Sequence, residues 1–380
     1  MDRQTKNAGA VETAETERDA LRDAFAQKAW AGAQSAPLAV DASTRRYYRL
    51  QKDGRSAVLM DAPPAAESAP CPPNADEATR KGLGYNALAR LAGPNMNAFI
   101  ALSGALRAEG LSAPEIFEAD PDAGFALIED LGDTLYSRAI SAGAAEAPLY
   151  ENAIDALSRL HNIEAPSEII DDSGARHALL DYDAPALTAE ADLLIDWFWP
   201  RIHGDKAPAA ARAAYRAAWA DALEAMRPKR AVIVLRDFHA DNLLWLEGRS
   251  GVARTGVIDF QDALRGHRAY DMVSLLEDAR RDVSPALAGA MLERYCLAAA
   301  EKGAFDEAGF RAGYAALGAQ RNAKILGIFA RLADRDGKPH YLKFMPRVWA
   351  HFENDLTHPL MANLKAWTDE HFPKDKRPTA

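Results

Sequence analysis

Residues 232–260 read Val-Ile-Val-Leu-Arg-Asp-Phe-His-Ala-Asp-Asn-Leu-Leu-Trp-Leu-Glu-Gly-Arg-Ser-Gly-Val-Ala-Arg-Thr-Gly-Val-Ile-Asp-Phe. Val232–Leu235 and Leu243–Leu246 are apolar runs too short for helices, and the segment between them is polar. A third run, Thr255–Ile258, follows a turn at Glu247–Gly251 and ends on Asp259. The order is strand, loop, strand, turn, strand, and it brings Asp237, Asn242 and Asp259 to strand ends.

Phosphoryl transfer from a nucleotide needs a carboxylate that orients the attacking hydroxyl and accepts its proton. It also needs oxygen ligands that hold magnesium against the phosphates. Asp237 suits the first task; Asn242 and Asp259 suit the second. The Asp-x-x-x-x-Asn spacing from Asp237 to Asn242 is that of a kinase catalytic loop. Singly, each residue has a common structural reading: a loop carboxylate, a turn residue, a strand-end cap. Their joint occurrence favours ATP with Mg²⁺. His239 and Asp241 lie between base and metal ligand, where a side chain either contacts a bound group or holds the loop.

Arg236-Asp-Phe-His-Ala-Asp-Asn242 followed by Gly256-Val-Ile-Asp-Phe-Gln-Asp-Ala263 resembles the aminoglycoside phosphotransferase and choline kinase superfamily, and most narrowly its bacterial kinases of N-acetylmuramate and N-acetylglucosamine. Asp41–Arg49, Val58–Pro64, Glu129-Asp-Leu-Gly132, Tyr270–Leu276 and Gln320–Arg331 carry the same resemblance, so it spans nearly the whole chain. It implies an α+β, two-lobed protein-kinase-like fold with a small antiparallel sheet lobe and a larger, mainly helical lobe. The expected division is a helical extension over 1–35, a nucleotide-binding lobe over 36–130, and a helical lobe carrying the catalytic loop over 131–380. Transfer to the anomeric hydroxyl of the aminosugar, in peptidoglycan recycling, is the implied reaction.

The resemblance also implies a hinge at which backbone groups of Glu129 and Leu131 meet adenine. Two departures from protein kinases stand out. Asp41-Ala-Ser-Thr-Arg-Arg46 has no glycine, so Ser43 and Thr44 are the expected phosphate donors. Met60 occupies the place of the strand lysine that touches the phosphates, so Arg45 or Arg46 is expected to supply that charge. Strand alternation sends Arg45 and Arg49 to one face and Arg46 to the other.

A chain of 380 residues with 48% hydrophobic content can bury two sizeable cores. No apolar run approaches the ~20 residues of a membrane span, and the polar start at Met1–Lys6 has no secretory h-region behind it, so a cytoplasmic protein is expected. The net charge of −10 disfavours nucleic acid and anionic membrane as partners. No obligate protein partner is evident. Cys71 and Cys296 suggest neither disulfide nor zinc site.

On the acceptor side, a helix over Leu187–Trp199 closed by Pro200 carries Glu190 and Trp197, a carboxylate and a ring of the kind that grip sugars; core packing is the alternative. Gln261, just past Asp259, and His239 join them as candidate acceptor contacts. Arg321, with Asn322, Lys324, Arg331 and Arg335, makes a basic patch suited to a carboxylate-bearing aminosugar; a solvated helix face is the alternative. The insertion after Pro64, rich in Pro, Ala and Ser, has no reading of its own. The rival functions are a kinase of another alcohol, such as an aminoglycoside or choline, and a non-catalytic nucleotide-binding pseudokinase, which Met60 would suit.

Overall fold

The structure is a computed structural model describing residues 2–38, 45–64 and 70–379. Helix α1 (Asp2–Ala29) precedes a sheet formed by β1 (Gln34–Pro37), β2 (Arg46–Lys52), β3 (Arg55–Asp61), β4 (Ile116–Asp120) and β5 (Phe125–Glu129). The five strands are antiparallel in the order β1-β2-β3-β5-β4. The β2–β3 hairpin turns on Asp53 and Gly54, both at positive φ, the conformation that keeps a two-residue loop in step with strand twist.

Strand alternation divides the sheet between two cores. Leu50, Ala57, Leu59, Phe125 and Leu127 pack under α1 through Phe25. Val58, Met60, Ala126 and Ile128 pack against α4 (Met96–Ala108) and onward into the large lobe. Arg18 of α1 is bound to the buried Asp61 carboxylate at 2.8 Å and lies 3.8 Å above the Phe125 ring. Between β3 and α4 the insertion forms α2 (Glu77–Leu83) and α3 (Tyr85–Leu88).

The larger part contains α5 (Tyr136–Ser141), α6 (Glu146–Leu160), the hairpin β6 (Glu168–Ile170) and β7 (Arg176–Ala178), α7 (Ala184–Leu193) and α8 (Trp199–His203). There follow α9 (Ala209–Ala218), α10 (Ala220–Met226), β8 (Val232–Val234), β9 (Leu243–Trp245), β10 (Thr255–Val257) and β11 (Leu264–Gly266). It ends with α11 (Ala269–Leu276), α12 (Pro285–Glu301), α13 (Glu307–Asp334), α14 (Met345–Asp355) and α15 (Ala362–His371). Pro200 does not close the helix begun at Ala184: a π-turn over Leu194–Phe198 links α7 to α8, and Pro200 follows directly on Trp199, whose N–H bonds the Leu194 carbonyl five residues back, so the regular ladder is already interrupted there. Helix α13 is central. A Cβ on its Gly327 would lie 2.2 Å from the Leu193 carbonyl oxygen, so only glycine lets α13 run so close to the π-turn.

Candidate active site

Strand β8 pairs with β11, and β9 pairs with β10. The catalytic loop 235–242 therefore hangs between two small ribbons, each anchored elsewhere. Its first turn is held by Asp271 of α11, fully buried, whose carboxylate accepts the Leu235 N–H at 2.8 Å and the Arg236 N–H at 2.9 Å. Leu235 stands where kinases have a supporting histidine, and Asp271 supplies that support through the backbone. Arg236 has φ 72 and Asp259 has φ 60, two non-glycine residues in the left-handed region on the two catalytic elements. Such strain persists only where surrounding bonds over-determine it.

The two proposed metal ligands are fixed to one another. The Ile258 N–H donates to the Asn242 carbonyl at 3.1 Å, and Asn242 Nδ2 donates to the Asp237 carbonyl at 3.0 Å. With Nδ2 so used, the Asn242 atom left for a cation is Oδ1. Phe260 stacks on Phe99 of α4 with ring centroids 5.0 Å apart, seating Asp259 against the sheet lobe. The link between lobes continues through the Val257 N–H to the Ser112 carbonyl, 3.0 Å, and the Trp245 N–H to the Thr134 carbonyl, 2.8 Å.

Asp259 is 47% exposed on the cleft floor, yet protein surrounds it closely. Burial, and then the nearby Asp237 charge, push its carboxyl above the ordinary range. For Asp237 burial pushes the same way, but Lys324, His239, Arg321 and Arg236 reverse it and hold the carboxyl below the ordinary range. Asp237 is thus favoured in its ionised form, and the repulsion felt by Asp259 is the kind a divalent cation relieves. Among the described residues no group of three or more His, Cys, Asp or Glu side chains forms a cage of its own. This donor set of carboxylate and amide oxygens suits a hard cation shared with phosphates.

On the nucleotide side, Arg45, Met60, Phe99 and Gln261 line one small pocket. Arg45 lies 3.6 Å from Asp259 and Gln261 Nε2 donates to Asp259 Oδ1 at 2.9 Å. Gln261, expected at the acceptor, thus stands with Asp259, the expected metal ligand. Arg46 points away and pairs with the exposed Glu15 of α1. Ser43 and Thr44 lie outside the described residues. The Glu129 N–H is taken by the Glu115 carbonyl, and its carboxylate binds Arg249, so what this residue can still offer a base is its carbonyl. Leu131 follows in the half-buried crossing between the lobes.

Glu190 corrects the acceptor-side reading. It is fully buried, with Tyr182, Arg236, Gln320 and Lys324 all bound to its carboxylate, so it braces the loop from behind instead of meeting a sugar. Trp197 is half-buried, packed against the core, with the Arg335 guanidinium 5.8 Å from its ring centroid. Most of the basic patch is not a solvated face: Lys324 lies 3.0 Å from Glu190, Arg331 covers Tyr85, and Asn322 binds Glu277 and Asp355, whereas Arg335 is exposed and pairs with Asp336. Arg321 is 5% exposed, and its Nη1 has no partner among the described residues. His239, also buried, has an unpartnered Nδ1, and Arg280 approaches its Nε2 at 3.4 Å. Arg321 and His239 are the buried donors left open beside Asp237.

Sequence reasoning missed the insertion's part. Arg80 of α2 and Arg90 both bind Asp183 at the start of α7, the Ala92 N–H donates to Asp262 at 2.7 Å, and Arg236 donates to the Ala89 carbonyl. Residues 80–92 cross from the sheet lobe to the catalytic loop. The positive φ of Arg90 belongs to that crossing, which no local motif announces.

Residues 35–311 match the model of the phosphotransferase enzyme family. The chain is 46% identical over 366 residues to an N-acetylmuramate/N-acetylglucosamine kinase of Caulobacter vibrioides, covering 96% of this chain and 99% of that one. It is 31% identical over 353 residues to the N-acetylmuramate/N-acetylglucosamine kinase of Pseudomonas aeruginosa, covering 90% and 91%. Its fold is like that of a choline/ethanolamine kinase family protein from Mesorhizobium loti, with TM-score 0.54 at 15% identity over 93% of this chain and 99% of that one. With the family model spanning most of its length and two such relatives matched almost end to end, the chain belongs to the phosphotransferase enzyme family.

Proposed function

We propose that the protein is an ATP-dependent kinase that phosphorylates the anomeric hydroxyl of N-acetylmuramate and N-acetylglucosamine, in the cytoplasm, during peptidoglycan recycling. The observation that carries the reading is the near end-to-end likeness to kinases named for these two sugars. The Asp237, Asn242 and Asp259 constellation supports the chemistry.

In this reading Asp237 receives the acceptor hydroxyl as a hydrogen-bond donor, orients it in line, and takes its proton. An anomeric hydroxyl is more acidic than other sugar hydroxyls, so orientation is the larger part of the task. Asn242 Oδ1 and Asp259 are the ligands for Mg²⁺, and bound Mg²⁺-ATP supplies the phosphoryl group and the charge neutralisation its transfer requires. Arg45 takes the place of the lysine that Met60 lacks. The backbone at Glu129 and Leu131 serves adenine, and Ser43 and Thr44 serve the phosphates. Arg321 and His239 turn their open donors to the acceptor sugar.

The test is ADP release with Mg²⁺-ATP against N-acetylmuramate, N-acetylglucosamine, galactose, choline and kanamycin, with the product's phosphate position read by phosphorus-coupled NMR. Phosphate on the anomeric carbon of either aminosugar is the expected result. Measurable ATP binding with no acceptor-stimulated turnover would sink the reading in favour of a pseudokinase.

A further inference from the structure

The insertion brings one side chain against α13, beside the residues that brace the catalytic loop. Tyr85, the first residue of α3, is half-buried and within electrostatic reach of Glu190, Lys324, Arg236 and Arg331. The Arg331 guanidinium lies 5.7 Å from the Tyr85 ring centroid, and its Nε is buried with no partner among the described residues. Lys324 and Arg331 are seven residues apart on α13, about 10 Å along the axis and on one face. Helical side chains lean toward the N-terminus, so Arg331 runs back toward Lys324, the residue that acts on Asp237. Burial, then Glu190, push the Tyr85 phenol above its ordinary range, so it meets a ligand as a neutral donor.

A phenol and a guanidinium with a free N–H make a corner for an anion. Lys324 is paired with Glu190, at 3.0 Å, whereas Arg331 keeps an unpartnered Nε beside the Tyr85 ring. N-acetylmuramate differs from N-acetylglucosamine by one group of that kind: a lactyl carboxylate on the ring oxygen substituent two carbons from the anomeric centre.

We infer that Tyr85 and Arg331 form the carboxylate-binding corner of the acceptor site, so that the inserted segment sets the preference for N-acetylmuramate over N-acetylglucosamine. This rests on the aminosugar-kinase reading above. Arg80 and Arg90, tied to Asp183, and the Ala89 carbonyl, tied to Arg236, hold Tyr85 in register with the catalytic loop.

The experiment is steady-state kinetics of the full chain with both sugars, comparing wild type with Tyr85→Phe, Arg331→Gln and Arg321→Gln. Tyr85→Phe removes only a hydroxyl, and an unchanged KM for ATP checks that the fold is kept. In Tyr85→Phe and Arg331→Gln the KM for N-acetylmuramate should rise, by about tenfold or more for the charged residue, while the constants for N-acetylglucosamine stay within a factor of about two. Equal losses for both sugars, no loss for either, or a muramate-selective loss confined to Arg321→Gln would each overturn the inference. A wild type that phosphorylates both sugars without bias in the variants overturns it alone; a wild type that phosphorylates neither overturns the kinase reading and this inference with it.

Discussion

Arg45 Nη1 lies 3.6 Å from Asp259 Oδ1, a cation from the first hairpin set against the carboxylate proposed to hold magnesium. The same guanidinium reaches the Gly93 carbonyl at 3.3 Å and lines one pocket with Met60, the residue in the place of the kinase lysine. Alternation along β2 sends Arg46 the other way, to an exposed pair with Glu15 that contributes little. Arg45→Ala should therefore raise the KM for ATP by roughly 10- to 100-fold, the worth of a charge-assisted contact, whereas Arg46→Ala should leave it within a factor of about two. Nucleotide titration of both variants checks this. Equal effects would show that the missing charge comes from elsewhere.

Asp237 can be separated from nucleotide binding because its carboxylate is held below the ordinary range by Lys324, His239, Arg321 and Arg236, and not by Arg45 of the pocket with Met60. Asp237→Asn keeps the shape and removes the proton acceptor. Turnover should fall by about 10²- to 10⁴-fold with ATP affinity retained. Calorimetric ATP binding beside single-turnover kinetics reads both quantities, and near-normal turnover would end the assignment.

What was legible in the sequence was what neighbouring residues decide. The apolar runs at Val232, Leu243 and Thr255 became strands at those positions because each is short, β-branched or aliphatic, and bounded by polar turn residues. Contacts between distant segments were not. Arg80 meets Asp183 across 103 residues and Arg236 meets Glu190 across 46, and neither pair has a local pattern. Glu190 on an apolar helix face looked like a sugar ligand, and only its four partners, brought by α13, the catalytic loop and Tyr182, reveal a buried brace. Pro200 misled because a π-turn, which no residue pattern marks, lets the helix pass it.

The Asp271 anchor offers a test of how the catalytic loop is held. Asp271→Asn leaves one oxygen to serve two adjacent buried N–H groups, those of Leu235 and Arg236. One donor unpaired in the interior costs about 1–3 kcal/mol. The denaturant midpoint should fall accordingly. Because Asp237 follows directly on the anchored residues, kcat should fall while the KM for ATP changes little. A destabilised variant with wild-type kcat would show that the loop keeps its geometry without the anchor.

Behind the site, Asn322 of α13 binds Glu277 at 2.7 Å and Asp355 at 3.0 Å, two carboxyls fully enclosed at the ends of α11 and α14. Burial pushes Glu277 up to about 7, against the opposing pull of Asn322, Tyr314, Asp355 and Arg321. Burial and the Glu277 charge push Asp355 well above its ordinary range. Unfolded, a glutamate titrates near pH ~4.3, so between that pH and about 7 the folded chain holds more protons than the unfolded one. Stability from this pair is therefore fully present below the unfolded value and is lost as pH rises through the folded one. A shift of this size corresponds to about 4 kcal/mol, shared by the pair as a unit. The buried His161 and His239 and the half-buried His267, held below their ordinary range first of all by desolvation, act in the opposite direction over the same pH range. The quantity to measure is thus the difference between wild type and Glu277→Gln in unfolding free energy from pH 5 to pH 8. Glu277→Gln keeps a polar group beside Asn322 and removes the titration, so the variant should gain on the wild type as pH rises. Parallel pH profiles for the two proteins would show that Glu277 is ionised throughout, or protonated throughout, and that the pair carries no pH dependence.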